Sequence, residues 1–250
     1  MTNDLQFKIA QPVLQLSDFV ESFWMLANNS DDDKNIALLP DGSVDILFSY
    51  SDTETFNAML MGLDSEASQI IFSAKTVIVG ISFKLLALEY ILETSITRQL
   101  PQQFPDDFWD ISIHDLDNFE NFVNKVSEKM HNILKGKKVE EKKLKLFEHL
   151  YSSNGSMTVK ELSEKSFWTS RQINRYFHQY IGISLKEYGN ILRFRASLPQ
   201  IQQGKFFPEL NFADQAHFIK SIKKHSGVTP KELNKNKNDR FVQFLALPKK

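Results

Sequence analysis

Arg171, Asn174, Arg175 and His178 stand at i, i+3, i+4 and i+7, so on a helix they share one face, with Ile173, Tyr176 and Phe177 on the other. A guanidinium can donate two parallel hydrogen bonds to the edge of guanine, and asparagine can pair in the same bidentate way with adenine. This spacing projects all four side chains toward one groove of a duplex. The same pattern also fits a polar face that is merely solvated.

A second stripe starts about 44 residues later. Gln215, Ala216, Ile219, Lys220 and Lys223 face one way, Phe218 and Ile222 the other, and Lys224 is placed to meet phosphate. Lysine and glutamine suit base reading, whereas Ala216 and Ile219 can only touch thymine methyl groups.

These side chains need helices, and the sequence marks where the helices start. Thr158-Val159-Lys160-Glu161 is a capping box, which predicts a helix running to about Lys165. After Ser166 to Thr169 a second helix spans Ser170 to Tyr180 and stops at Gly182, so the pair makes a helix-turn-helix. Ser184-Leu185-Lys186-Glu187 is another capping box, opening a connector helix that closes near Gly204 and that Pro199 should kink or shorten. Asp214 can cap a helix from Gln215 to His225 ended by Gly227, and Thr229-Pro230-Lys231-Glu232 opens a last short helix with proline at its first position.

Net charge over the 250 residues is −1, but the average conceals a split. Residues 1–136 hold 8 Lys and Arg against 21 Asp and Glu, a net of −13, and residues 137–250 hold 22 against 10, a net of +12. A basic half is what contact with nucleic-acid phosphate requires, since Lys and Arg must replace the counterions; a solvated basic surface gives the same count. With no cysteine in the chain, disulfides, thiolate metal sites and thiol chemistry are excluded. The amino terminus lacks the basic start and apolar run of a secretion signal, and no window approaches the roughly 20 apolar residues of a membrane span, so a cytoplasmic protein is expected.

The acidic half reads as short strands, among them Phe19 to Leu26, Ile36 to Leu39, Val44 to Tyr50 and Thr76 to Phe83. Pro40-Asp41-Gly42 supplies a turn between two of them, and Lys84 to Thr94 looks helical. Phe23, Trp24, Phe48 and Tyr50 are candidates for an aromatic effector pocket, with core packing as the competing reading. Leu116, Phe119, Phe122, Val123, Val126, Met130, Ile133 and Leu134 lay an apolar stripe along a helix ending near Gly136, suited either to a core or to a dimer face. The resulting division is 1–112, a linking helix 113–137, a basic domain 138–236 and a tail 237–250.

From about Val139 to Leu233 the chain resembles the DNA-binding region of the AraC/XylS family of transcription regulators. The landmarks are Leu162, Ser170-Arg171-Gln172-Ile173-Asn174-Arg175-Tyr176-Phe177, Gly182, Tyr188, Arg193-Phe194, Asp214-Gln215-Ala216-His217-Phe218, Lys223, Gly227 and Thr229-Pro230. The resemblance implies two helix-turn-helix units on a shared connecting helix, with recognition helices entering successive major grooves roughly 34 Å apart. Carried over by position, the base readers are Arg171, Asn174 and Arg175 in the first unit and Gln215, Ala216, Ile219 and Lys220 in the second. Thr158, Ser170, His178, Lys223 and Lys224 are the candidates for phosphate contacts. Where the family has a full helix before its second recognition helix, Phe206-Phe207-Pro208-Glu209-Leu210-Asn211 is several residues too short.

More loosely, Phe19-Val20, Phe23-Trp24, Leu39-Pro40-Asp41-Gly42, Val44-Asp45, Val79-Gly80-Ile81 and Phe83 resemble the acidic sensory domain of one branch of such regulators. The fold implied is α+β: a β-rich cupin-like barrel remnant with helices, followed by an all-α domain. A working cupin metal site needs a histidine cluster, and the first histidine is His114, so no metal or other cofactor is expected. No catalytic residues are assigned. The partners to consider are double-stranded DNA, a small-molecule effector sensed through Trp24, Phe48 and Tyr50, a second copy of the chain, and RNA polymerase. Two alternatives stay open: an acidic half that binds only protein or itself, and a catalytic barrel with a basic appendage.

Overall fold

A computed structural model describes residues 4–96, 101–208, 212, 214–236 and 240–247. The chain forms two compact units that are interleaved in sequence. Unit 1 comprises Met1–Lys34, Ser43–Gly62 and Ile71–Val139, and unit 2 comprises Asn35–Gly42, Leu63–Ile70 and Glu140–Lys250. Where the sequence predicts one boundary near residue 137, two short pieces of the amino-terminal half belong to unit 2.

Unit 1 is built on an antiparallel sheet of six strands, in the order β1 (Leu5–Ala10), β2 (Val20–Asn28), β7 (Val77–Phe83), β4 (Val44–Tyr50), β5 (Asn57–Met61) and β8 (Gln102–Gln103). Side chains alternate across a strand, so register decides which of them meet. Phe23 pairs with Ile81, which pairs with Ile46, and all three are fully buried on one face together with Phe48 and Val79. Each such side chain contributes about 1.5–3 kcal/mol when taken out of water.

That face meets a helix. The predicted stripe from Leu116 to Leu134 is split into α2 (Ile113–Leu116) and α3 (Phe119–Leu134), because Asn118 accepts from the Asn121 amide and starts a new helix. Phe122, Val126 and Met130 fall one turn apart and are fully buried, and the Phe122 ring meets Phe48 edge-on at 5.5 Å between centroids. The stripe is thereby core. The predicted helix over 84–94 is shorter, α1 (Leu86–Tyr90).

The described residues of 138–236 are all-α as expected, and unit 2 adds to them strand residues from the amino-terminal half. It holds α4 (Glu141–Ser152), α5 (Val159–Ser166), α6 (Ser170–Tyr176), α7 (Leu185–Gln202), α8 (Gln215–Ser226) and α9 (Pro230–Lys235), and also most of a two-stranded sheet of β3 (Lys34–Leu38) and β6 (Ser68–Phe72). Pro40-Asp41-Gly42 therefore joins strands of different sheets. Gly42 takes φ +82 and its carbonyl accepts from the buried Tyr188 hydroxyl at 2.8 Å.

Helix α7 runs through Pro199 to Gln202 and carries both halves of the unit. On one side Phe147, Tyr176, Phe177 and Tyr188 pack ring against ring. On the other Phe194, Leu198 and Ile201 join Phe218 and Ile222 of α8 and Leu233 of α9. Phe241 and Phe244, in the segment expected to be a loose tail, are buried in that second cluster.

Candidate nucleic-acid interface

The first helix-turn-helix forms as its capping chemistry dictates. The Thr158 hydroxyl accepts from the Glu161 amide, while the Glu161 carboxylate accepts from the Thr158 amide at 2.7 Å and hydroxyl at 2.8 Å. Helix α5 ends with Phe167 in the left-handed region at φ +55, which turns the chain within a few residues toward Thr169, the cap of α6. There Gln172 does the work of the usual glutamate, accepting from the Thr169 amide at 3.1 Å and hydroxyl at 2.8 Å. The α-helix covers only Ser170–Tyr176; Phe177–Ile181 is a single π turn closed by Gly182 at φ +77.

Ile173, Tyr176 and Phe177 are buried, while Arg171, Arg175 and His178 are exposed and Asn174 is half-buried. Among the described residues no ion pair engages Arg171 or Arg175, so both guanidinium groups are available to a partner. Ser170 occupies the first position of α6, where backbone amides have no partner within the helix. Thr158 is exposed, but its amide and hydroxyl are already committed to Glu161, so a phosphate there would compete with the cap.

The second recognition helix, α8, starts after Asp214, whose carboxylate accepts from the His217 amide at 2.7 Å. Gln215, Ala216, Ile219, Lys220, Lys223 and Lys224 are all exposed, and Phe218 and Ile222 are fully buried. Geometry relates the two helices by a shift of 45 residues. Ser170 and Gln215 each open a recognition helix, Gly182 and Gly227 close them at φ +77 and +76, and Ser184 and Thr229 then cap α7 and α9 with the same box. Arg171, Asn174, Arg175 and His178 thus correspond to Ala216, Ile219, Lys220 and Lys223.

Glu187 in the first turn of α7 accepts from the Ser184 amide and hydroxyl, which hold it below the ordinary carboxylate range. Unit 2 as a whole carries 20 Lys and Arg against 13 Asp and Glu, a net of +7.

The aromatic trio of unit 1 does not converge. Trp24 is in register with Gly80 and Leu47, on the face opposite Phe48 and Tyr50. A Cβ on Gly80 would come within 2.3 Å of the Trp24 indole, whose Nε1 donates to Ser82 Oγ at 3.0 Å, and that hydroxyl donates to Asp45 at 2.5 Å. Phe48 is fully buried against Phe56, Phe108 and Phe122, so it serves the core, and the Tyr50 hydroxyl reaches Asp117 at 3.5 Å. A pocket lined jointly by Trp24, Phe48 and Tyr50 is excluded by strand parity. Among the described residues there is no group of three His, Asp or Glu side chains able to hold a metal, and no helix is long and apolar enough to cross a membrane.

Sequence reasoning missed the residues that seat α8. Ala37, Leu39, Ser65 and Ala67 come from the acidic half and lie in unit 2. Only the apolar run from Ile36 to Leu39 hinted at burial, and nothing local indicated against what.

Residues 8–105, spanning β2 to β8, match a family described as a domain of unknown function (DUF6597). No curated protein matches the chain. Among solved structures, ToxT from Vibrio cholerae in its P21 form is similar at 13% identity and a TM-score of 0.47, over 92% of this chain and 97% of that one. ToxT from Vibrio cholerae O395 is similar at 11% identity and a TM-score of 0.43, over 92% and 97%. Wild-type ToxT from strain SCE256 with unsaturated fatty acid bound is similar at 13% identity and a TM-score of 0.40, over 91% and 93%.

Proposed function

We propose that this chain is a sequence-specific DNA-binding transcription regulator of the AraC/XylS type, in which α6 and α8 enter successive major grooves and unit 1 regulates binding. The observation that carries the reading is the division of α6 and the π turn after it: an apolar side sunk in the core of unit 2, and an opposite side with Arg171, Arg175 and His178 exposed, Asn174 half-buried between them and the two guanidinium groups unpaired. A folding role alone does not require hydrogen-bond donors at that spacing. Lys223, Lys224 and His178 contact phosphate and set the docking, and Arg171, Asn174 and Arg175 read base edges. The chain is assigned no catalytic step. A small-molecule effector of unit 1 rests on sequence resemblance, and its site is not the Trp24, Phe48 and Tyr50 trio.

A second reading of unit 1, as a protein-contacting or self-associating module, is favoured by Ile9, Val13 and Leu14. They are 45%, 50% and 85% exposed on and just after β1, the strand at one end of the sheet.

Selection of bound sites from random duplexes tests the DNA reading. The expected product is an asymmetric motif spanning about two helical turns, bound with an affinity that falls steeply as salt is raised. Recovery of unenriched sequence would overturn it.

A further inference from the structure

The 45-residue correspondence between the two recognition units fails at one place. In the first unit Leu162 of α5 is fully buried beneath α6, and α5 as a whole supports the recognition helix. Its counterpart in the second unit is Phe207, which is 68% exposed, and Lys205–Pro208 is not helical. Glu209, Leu210 and Asn211 of the shortened stretch lie outside the described residues. A recognition helix with nothing beneath it would leave Phe218 and Ile222 in water, yet both are fully buried.

The shortened stretch supplies only the partly buried Phe206 and Phe212, the latter with its ring 5.2 Å from that of Phe218, and the rest of the cover comes from elsewhere in the chain. Ala37 and Leu39 at the end of β3, each 4% exposed, join Phe218, Ile222, Phe194, Leu198 and Leu233 in one cluster, and Ala67 packs against it. At the far end of α8 His225 is 2% exposed, its ring lies 5.2 Å from that of Phe194, and its Nδ1 is 2.6 Å from the Ser65 carbonyl oxygen. Only the N–H form of that nitrogen can bond to a carbonyl, and burial, which lowers the pKa, keeps the ring neutral. The carboxy-terminal segment fastens the same strand from its other side, with the Ala37 amide donating to the Arg240 carbonyl at 2.6 Å and Gln243 Nε2 donating to the Leu39 carbonyl at 3.0 Å.

We propose that β3 and the Leu63–Ile70 segment supply for α8 much of the support that α5 gives α6, so that Leu39, Ser65 and His225 are positioning residues for the recognition helix α8 and not for α6. The footprinting part of the test rests on the DNA reading above; the exchange part does not. The chain passes from these segments into unit 1 at four points, Lys34 to Asn35, Gly42 to Ser43, Gly62 to Leu63 and Ile70 to Ile71. The segments that pack against α8 are thus continuous in sequence with unit 1 at both of their ends.

The test uses the full chain and Leu39→Ala, with Leu39→Met as the conservative variant. Hydrogen exchange of α8 amides should quicken at least about tenfold in Leu39→Ala while α6 amides keep their protection, and Leu39→Met should restore α8. On a selected duplex, Leu39→Ala should lose protection and base preference over the half-site read by α8 and keep both over the other half. Equal quickening in α6 and α8, or none in either, would overturn the proposal by reducing the strand to general stabilisation or to no role. Should Leu39→Ala fail to fold, His225→Phe keeps a ring against Phe194, removes the bond to Ser65, and is judged by the same contrast. If the parent chain selects no duplex, the DNA reading fails and the exchange contrast still decides this one.

Discussion

Replacing Gly155 by alanine sets two costs against one atom. Gly155 follows α4 at φ +69, and a Cβ there would lie 2.4 Å from the Gly189 carbonyl oxygen and 2.6 Å from its Cα. Those are backbone atoms of α7, so no rotamer change relieves the overlap. The left-handed conformation costs an L-residue about 1–2 kcal/mol, and overpacking a site that cannot yield costs about 1–3 kcal/mol. Unit 2 should lose about 2–5 kcal/mol of unfolding free energy in Gly155→Ala. Gly204→Ala isolates the first term, because Gly204 has φ +77 with nothing within 4 Å of an added Cβ. It should lose only about 1–2 kcal/mol. Denaturant unfolding followed by far-ultraviolet circular dichroism gives both values on the full chain. If the two variants agree within about 0.5 kcal/mol, the backbone contact between the α4–α5 loop and α7 does not hold the first recognition unit on its connector.

Two further outcomes follow from side chains already described. Arg171→Ala and Arg175→Ala should each weaken binding to a selected duplex by about 1–3 kcal/mol and relax preference at one base pair, measured by gel shift over single-base variants; uniform weakening would assign that arginine to phosphate. The Tyr188 hydroxyl is fully buried, and desolvation first, then Tyr151, push it well above the ordinary tyrosine value. The unfolded chain then gives up this proton first on raising the pH, so the stability Tyr188 contributes is complete below about pH 10 and is lost as pH climbs toward its folded-state value. Absorbance titration of tyrosinate should show one tyrosine ionising only with unfolding, and its disappearance in Tyr188→Phe identifies it.

What the sequence made legible was chemistry that acts over three or four residues. The boxes at Thr158, Ser184 and Thr229, the Asp214 cap and the closing glycines Gly182 and Gly227 all formed where the residue types predict, because the bonds involved span only three to five residues. Pairing across distance left no such trace. Ile36 to Leu39 reads as a strand whether it pairs with β4 or with β6, and its continuous apolar run cannot say which unit it will bury itself in. Trp24 and Phe48 illustrate the same limit: parity within each strand is visible in sequence, but whether the two share a face depends on the register of β2 and β4 against β7. The stripe on α3 announced a buried face and could not name its partner, which proved to include Phe48. Phe241 and Phe244 looked like a tail because nothing local distinguishes an apolar residue that docks from one that does not.

The two recognition helices differ in how they are held and in what they can read, and both differences point the same way. On α6 the outward positions carry Arg171, Asn174 and Arg175, each able to pair bidentately with one base at about 1–3 kcal/mol of discrimination. The corresponding positions of α8 carry Ala216, Ile219 and Lys220, which offer two apolar contacts and a single flexible charge. On the proposed DNA reading, hydrogen-bonded specificity would concentrate in the groove that α6 enters, while α8 would add Gln215 and Lys220 as its polar readers, methyl contacts from Ala216 and Ile219, and phosphate attraction from Lys223 and Lys224. The helix that reads less is also the one seated on strands from the acidic half. Moving α8 would change total affinity while leaving the main determinants of sequence in place, which is what regulation of occupancy at a fixed site requires.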